Sequence, residues 1–295
     1  MISTTKSLHL PNTTREAPAS ERSLNPALGY RSPLRYPGGK QRAIASIAKV
    51  LPQSAREYRE PLVGGGSVYF YARTINLAER YWINDAFEEL VSFWQIIQKR
   101  ESCKKLIHDL HELRSSLLST KQIKQFYIKA RQERPMDDYR QALLFFFFNR
   151  VSFSGTTKAG GFSALASSER FTASSIERLA SMPEALAKTK ITNLDFEEAI
   201  TKAGKDVFIF LDPPYYKTKK LYGRNGSLHD FDHERLANIL KTSKHKFLIT
   251  YDSCAEVRSL YKWAEIRHWH LQYGMNNCNS KRQSKIGAEL FISNY

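Results

Sequence analysis

The chain has 295 residues, with 45 lysines and arginines against 29 aspartates and glutamates, a formal net charge of +16. That length accommodates about two domains, or one large domain carrying an insertion, and the charge predicts attraction to polyanions, nucleic acid first among them. A 42% hydrophobic composition excludes a disordered chain, three widely spaced cysteines (Cys103, Cys254, Cys278) exclude a disulfide framework, and no run approaches the roughly 18 apolar residues of a membrane span.

Residues 1–33 are rich in Ser, Thr, Asn and Pro, lack the apolar core of a secretion signal and read as a flexible leader. The spacing of Ile44, Ile47 and Ala48 predicts a helix over 40–50. A strand at 58–61 then runs into Gly64, Gly65 and Gly66 and a helix carrying Tyr69 and Phe70, half of a βαβ unit. The next strand, 80–85, ends on Asp85, and a helix follows over 87–99. From 100 to 187 the texture is long helical periodicity without strands, then Phe145 to Phe148, read as a buried helix face, and a Gly/Ser/Thr loop. Apolar strands return at 190–194, 207–211, 246–251, 266–271 and 290–293, alternating with helices, which predicts a buried parallel sheet. The expected fold class is α/β, a Rossmann-like sheet split by a helical insertion. Its parts are leader 1–33, first sheet segment 34–99, insertion 100–187 and second sheet segment 188–295.

The fully apolar strand 207–211 ends in Asp212-Pro213-Pro214-Tyr215. In an open α/β sheet, ligands bind beyond the carboxyl ends of the strands, which places this tetrapeptide at the site. The prolines stiffen the loop and offer carbonyl acceptors without competing donors. An acid, a rigid carbonyl and an aromatic face suit a flat base with an exocyclic amino group: Asp212 and the Pro213 carbonyl each accept one amino hydrogen while Tyr215 stacks on the ring. The glycines of Glu60-Pro61-Leu62-Val63-Gly64-Gly65-Gly66-Ser67 sit between strand and helix, where a nucleoside cofactor approaches the backbone. Asp85, about 20 residues on, stands where ribose hydroxyls are held. Neither G-x-G-x-x-G nor a P-loop is present.

Leu34-Arg35-Tyr36-Pro37-Gly38-Gly39-Lys40, the Glu60 to Ser67 segment and Asp212 to Tyr215, in that order, resemble the Dam-type family of N6-adenine DNA methyltransferases. The resemblance extends to Trp82 to Asp85, to Phe148-Asn149-Arg150-Val151-Ser152-Phe153-Ser154-Gly155 and to Gly287 through Tyr295. It implies S-adenosylmethionine as cofactor, with Tyr36, Lys40 and Glu60 beside it, Gly64 to Gly66 beneath it, Asp85 on its ribose and Asp212 touching both ligands. It also implies that the insertion recognises the DNA target. Asn149, Arg150, Phe153 and Ser154 then open the reading loop, with Phe153 wedged beside a flipped adenine. Lys158 stands where GATC readers carry arginine; lysine reaches guanine as a point charge without the guanidinium fork.

The adenine amino group is a poor nucleophile because its lone pair is conjugated into the ring. Two acceptors on its hydrogens favour a more tetrahedral nitrogen and direct transfer of the methyl group. No cysteine lies in a Pro-Cys pair of the kind that attacks cytosine, and Cys254 and Cys278 read as packing or surface thiols. Lys217, Lys219, Lys220 and Arg224, and likewise Lys281, Arg282 and Lys285, are read as backbone-phosphate contacts. His229 and His233 lack a third partner, so no metal is expected. The expected partner is double-stranded DNA, with a cognate restriction endonuclease in the same system and a monomeric, cytoplasmic, DNA-associated enzyme. Cytosine N4 in DNA, adenine in RNA, and a non-catalytic basic DNA-binding protein are the alternatives at this stage.

Overall fold

A computed structural model describes residues 29–216, 231–272 and 286–295. In chain order the elements are α1 (Ile44–Ile47), β1 (Ala55–Glu60), α2 (Ser67–Thr74), β2 (Ala78–Asn84), α3 (Glu88–Gln98), α4 (Arg100–Ser116), α5 (Thr120–Gln132) and α6 (Asp138–Val151). The short helices α7 (Ala164–Glu169), α8 (Ala173–Glu177) and α9 (Met182–Ala185) follow, then β3 (Thr189–Thr192), α10 (Phe196–Thr201) and β4 (Val207–Leu211). The last elements are α11 (His233–Thr242), β5 (Lys246–Asp252), α12 (Ala255–Leu260), β6 (Glu265–Gln272) and β7 (Ile286–Ser293). The helix expected over 40–50 is broken into a 3₁₀ turn, Lys40–Arg42, and α1, because the Lys40 side chain is turned inward and buried.

The seven strands form one sheet in the order β3-β2-β1-β4-β5-β7-β6. β1 to β5 pair in parallel, but β7 runs antiparallel between β5 and β6. This corrects the all-parallel expectation: strand direction is decided by pairing across the sheet, which the apolar content of one strand does not report.

Every side chain of β4 is buried, and alternation sends its residues to both faces. Phe208 and Phe210 join Tyr58, Tyr81, Ile83 and Leu248 in a core under α2 and α3. Val207, Ile209 and Leu211 join Phe247, Ile249, Leu290 and Ile292 under α10, α11 and α12. The first core continues into the inserted helices. All ten residues from Ala142 to Val151 on α6 are buried, so Phe145 to Phe148 pack on every side of the helix rather than on one face. A helix enclosed in this way anchors whatever loop follows it. Among the described residues no helix is long and apolar enough to cross a membrane.

Candidate active site

The chain leaves β1 toward β2 and β3, and leaves β4 in the opposite direction toward β5, so successive connections diverge between β1 and β4. That is the switch point where an open α/β sheet leaves a crevice. Glu60 ends β1 on one side of it and Asp212 follows β4 on the other.

Both oxygens of Asp212 are engaged. Lys40 Nζ donates to Oδ2 at 2.6 Å and to the Gly38 carbonyl at 3.0 Å, and Thr250 Oγ1 on β5 donates to Oδ1 at 2.7 Å. Lys40 is 6% exposed and Thr250 fully buried, which fixes the plane of the carboxylate. Each oxygen keeps a further lone pair for a third donor. The Tyr215 ring lies 4.8 Å from Lys40 Nζ and 6.3 Å from the Tyr251 ring, and its hydroxyl donates to Glu289 Oε2 at 2.7 Å. Tyr251 is itself buried and hydrogen-bonded to His233 Nδ1. Tyr216 N donates to Asp252 Oδ1 at 3.0 Å, a further tether on the loop.

The glycine loop is held by Asp85, which is 8% exposed. Its Oδ2 accepts from Gly64 N at 2.9 Å and its Oδ1 from Phe87 N at 3.0 Å. Burial raises the Asp85 pKa above the usual carboxylate value, and these backbone donors oppose the rise. Glu60 is more deeply enclosed, with Tyr58 donating to it; burial pushes its carboxyl well above the ordinary range. Gly64 has φ +46°, and a Cβ there meets Tyr36 Cε1 at 2.8 Å, while one on Gly65 meets Tyr36 Cβ at 2.6 Å. The loop therefore needs glycine so that Tyr36 can lie against its backbone.

A model of the D12 class N6 adenine-specific DNA methyltransferases matches residues 36–275. The chain belongs to this family. It is similar to the "DNA adenine methylase" of Vibrio cholerae serotype O1, 27% identical over 250 residues that cover 80% of this chain and 86% of the relative. It is also similar to the "Type II methyltransferase M.MjaIII" of Methanocaldococcus jannaschii, 27% identical over 288 residues covering 89% and 98%. A third relative, "Type II methyltransferase M.CviBI" of Paramecium bursaria Chlorella virus NC1A, is 25% identical over 273 residues covering 89% and 98%. The enzyme is thus an adenine-specific DNA methyltransferase, and the sheet carries the methyltransferase fold.

In this methyltransferase the loop after α6 begins later than the sequence suggests. Asn149 and Arg150 are interior residues of the helix, 0% and 2% exposed, because nothing before Ser152 breaks the helical run. Asn149 spends its side chain on structure: Oδ1 accepts from Arg35 N at 3.1 Å, and Nδ2 donates to the carbonyls of Arg35 at 2.6 Å and Gly155 at 3.1 Å. Its expected contact with DNA is corrected to a clamp between the Leu34 to Lys40 strap and the loop. The loop proper is a small hairpin closed by the Ser152–Phe162 bridge, with Phe153 N donating to Gly161 O at 3.0 Å. Phe153, one residue past that bridge, is 64% exposed, next to exposed Ser154. Lys158 is half-buried, its Nζ 3.6 Å from Glu89 Oε1. The other expected phosphate contacts, Lys217, Lys219, Lys220, Arg224, Lys281, Arg282 and Lys285, lie outside the described residues, as do the leader up to residue 28, His229 and Cys278. Cys254 is buried, and burial pushes its thiol pKa up.

Two buried arginines behave differently. Arg59, 1% exposed, donates to Glu57, and to the Ala199, Lys202 and Ala203 carbonyls at the end of α10. Arg150 has no hydrogen-bond partner for Nε or Nη2 among the described residues, and lies over the Phe146 ring at 4.9 Å. Burial first, then the like charges of Arg178, Arg35 and Arg170, lower its pKa to about 9, which leaves it charged at neutral pH. Arg35 Nη1 is likewise buried without a partner. Thr250 and Glu289, which hold Asp212 and Tyr215, had no place in the sequence reading.

Proposed function

We propose that this methyltransferase takes its methyl group from S-adenosylmethionine and delivers it to the exocyclic amino group of an adenine flipped out of duplex DNA, at a specific sequence read by the insertion at 100–187. The observation that carries this reading is Asp212 held by Lys40 and Thr250 at the switch point, after the strand that neighbours the one leading into the glycine loop. The cradle fits the cofactor. Gly64 and Gly65 carry no side chain beneath the Tyr36 ring, Asp85 braces their loop, and the acidic groups of Asp85 and Glu60 beside it suit a ligand that bears hydroxyls. When bound, the cofactor supplies an activated methyl group on a sulfonium.

The protein's own part is to hold the acceptor base. Asp212 and the Pro213 carbonyl accept the two amino hydrogens, which draws the nitrogen lone pair out of conjugation, and Tyr215 stacks on the ring. Lys40, already bonded to Asp212, stands beside both the base and the cofactor. Phe153, exposed at the base of the hairpin, fills the gap left by the flipped base. Arg150, under the like charges of Arg35, Arg170 and Arg178, is assigned a backbone phosphate that makes its own socket on binding: a desolvated guanidinium whose Nε and Nη2 have no partner among the described residues is satisfied by an anion. From the Type II names of two relatives we infer a restriction endonuclease of the same specificity as partner, with the enzyme itself a cytoplasmic monomer.

The test is transfer from labelled S-adenosylmethionine to duplex DNA of mixed sequence, with nucleosides separated after digestion. N6-methyladenine is the expected product; labelled N4-methylcytosine, or no product while cofactor binds, refutes the reading. Gly65→Ala is expected to weaken cofactor binding about tenfold, because the added Cβ displaces Tyr36, with DNA affinity unchanged; calorimetry of cofactor binding checks this. Lys158→Ala is expected to relax sequence choice without changing cofactor affinity, measured by sequencing methylated sites in a mixed pool, and an unchanged target preference refutes its assignment.

A further inference from the structure

The acid and the aromatic ring of D-P-P-Y are both held from outside their own loop. Glu289 on β7 is 1% exposed and accepts from the Tyr215 hydroxyl at 2.7 Å. Thr250 on β5 has one hydroxyl proton and directs it to Asp212 Oδ1 at 2.7 Å rather than to the Leu211 carbonyl at 3.5 Å. β5 and β7 are adjacent, with Asp252 opposite Glu289 and Thr250 opposite Phe291, so both side chains come from one pair of neighbouring strands. It is an antiparallel pair that the sequence did not predict.

Stability does not account for a carboxylate at position 289. It is followed on β7 by buried Leu290, Phe291 and Ile292, and faces Trp269 across the pair with β6. Taking a carboxylate out of water costs several kcal/mol before its partners offset it, and an apolar residue suits such a strand better. A buried acceptor aimed at a phenol does have one clear effect. It fixes the ring's far end and removes the swing that a base-stacking aromatic otherwise retains.

We propose that Glu289 and Thr250 are positioning residues for methyl transfer. Glu289 sets the Tyr215 ring against the target base, and Thr250 sets the Asp212 carboxylate so that its remaining lone pairs meet the amino group. The proposal rests on the assignment of Asp212 and Tyr215 as residues that contact the base.

The experiment is steady-state methyl transfer to mixed-sequence duplex DNA, with thermal unfolding recorded for each variant. Glu289→Met is expected to lower kcat about tenfold or more with KM for DNA little changed, since misplacement of order 1 Å at a reacting centre carries penalties of that size. Glu289→Gln, whose amide oxygen still accepts from Tyr215, restores most of the rate. In a Tyr215→Phe background, Glu289→Met costs no further kcat, because its effect travels through the hydroxyl. Thr250→Val lowers kcat in the same way and Thr250→Ser rescues it; this pair retains the test if Glu289→Met fails to fold. An equal loss of kcat from Glu289→Met with and without the Tyr215 hydroxyl overturns the role of Glu289, and unchanged kcat in Thr250→Val overturns that of Thr250. Asp212→Ala run alongside separates the two levels. Full turnover there refutes the site itself, whereas lost turnover there with normal kcat in Glu289→Met and Thr250→Val refutes the positioning role alone.

Discussion

Asp212→Ala is expected to reduce methyl transfer by about a thousandfold, the upper end of what one preorganised polar group supplies to a transition state, while non-specific DNA affinity stays within a few fold. The first half follows from geometry. Asp212 is the side chain on which the Lys40 and Thr250 hydrogen bonds converge at the carboxyl end of β4, so its removal takes away an acceptor for the amino hydrogens and the group that organises its neighbours. The second half follows because the role proposed for Asp212 is toward the base and not the phosphates. Stability falls as well. Lys40 is 6% exposed and is left with the Gly38 carbonyl and the Tyr215 ring, and stranding one member of a largely buried pair costs about 2 kcal/mol or more. Cofactor and DNA binding should therefore be measured well below the lowered melting temperature. Single-turnover transfer at saturating DNA isolates the chemical step, and a rate near that of the native enzyme sinks the assignment.

What the sequence disclosed about this site was local, and what it withheld was long-range. Strand 207–211 followed by D-P-P-Y is legible because an apolar run ending in an acid and two prolines needs no partner to be recognised, and the strand is observed at Val207–Leu211. The glycine loop and Asp85 stand out in the sequence for the same reason, and the bond from Gly64 N to Asp85 Oδ2 shows the acid bracing the loop. Thr250 had only the faint signal of one hydroxyl inside the apolar stretch 246–251, and Glu289 that of one charge at the head of 290–293. Each gains meaning only once β7 is seen to run antiparallel beside β5. Asn149 and Arg150 were misplaced by a boundary. The helix continues to Val151, and a shift of a few residues at its end moves two polar side chains from a loop into the core.

Arg150→Met is expected to raise the stability of the free enzyme and to weaken its hold on DNA, two changes of opposite sign from one substitution. In the free protein each unpartnered guanidinium donor costs about 1 to 3 kcal/mol, and Nε and Nη2 are both unpartnered among the described residues. The face of Phe146 at 4.9 Å returns about 1 kcal/mol, and Arg178, Arg35 and Arg170 add repulsion. Methionine fills a similar volume without charge, so melting without DNA should rise by about 2 °C or more, given roughly 2 to 4 °C per kcal/mol for a chain approaching this size. With DNA the balance reverses. A phosphate entering the socket meets desolvated donors whose cost has already been met in folding, and its loss should weaken binding about tenfold or more. The slope of log affinity against log salt should shrink by about one, because one phosphate fewer is neutralised. Arg59→Met is the counterpart. That guanidinium is bonded to Glu57 and to the carbonyls at the end of α10, so its replacement should lower stability and leave the salt slope alone. Equal melting losses in the two variants, with an unchanged salt slope in Arg150→Met, would make Arg150 an ordinary core residue and remove the phosphate socket from the DNA-binding surface.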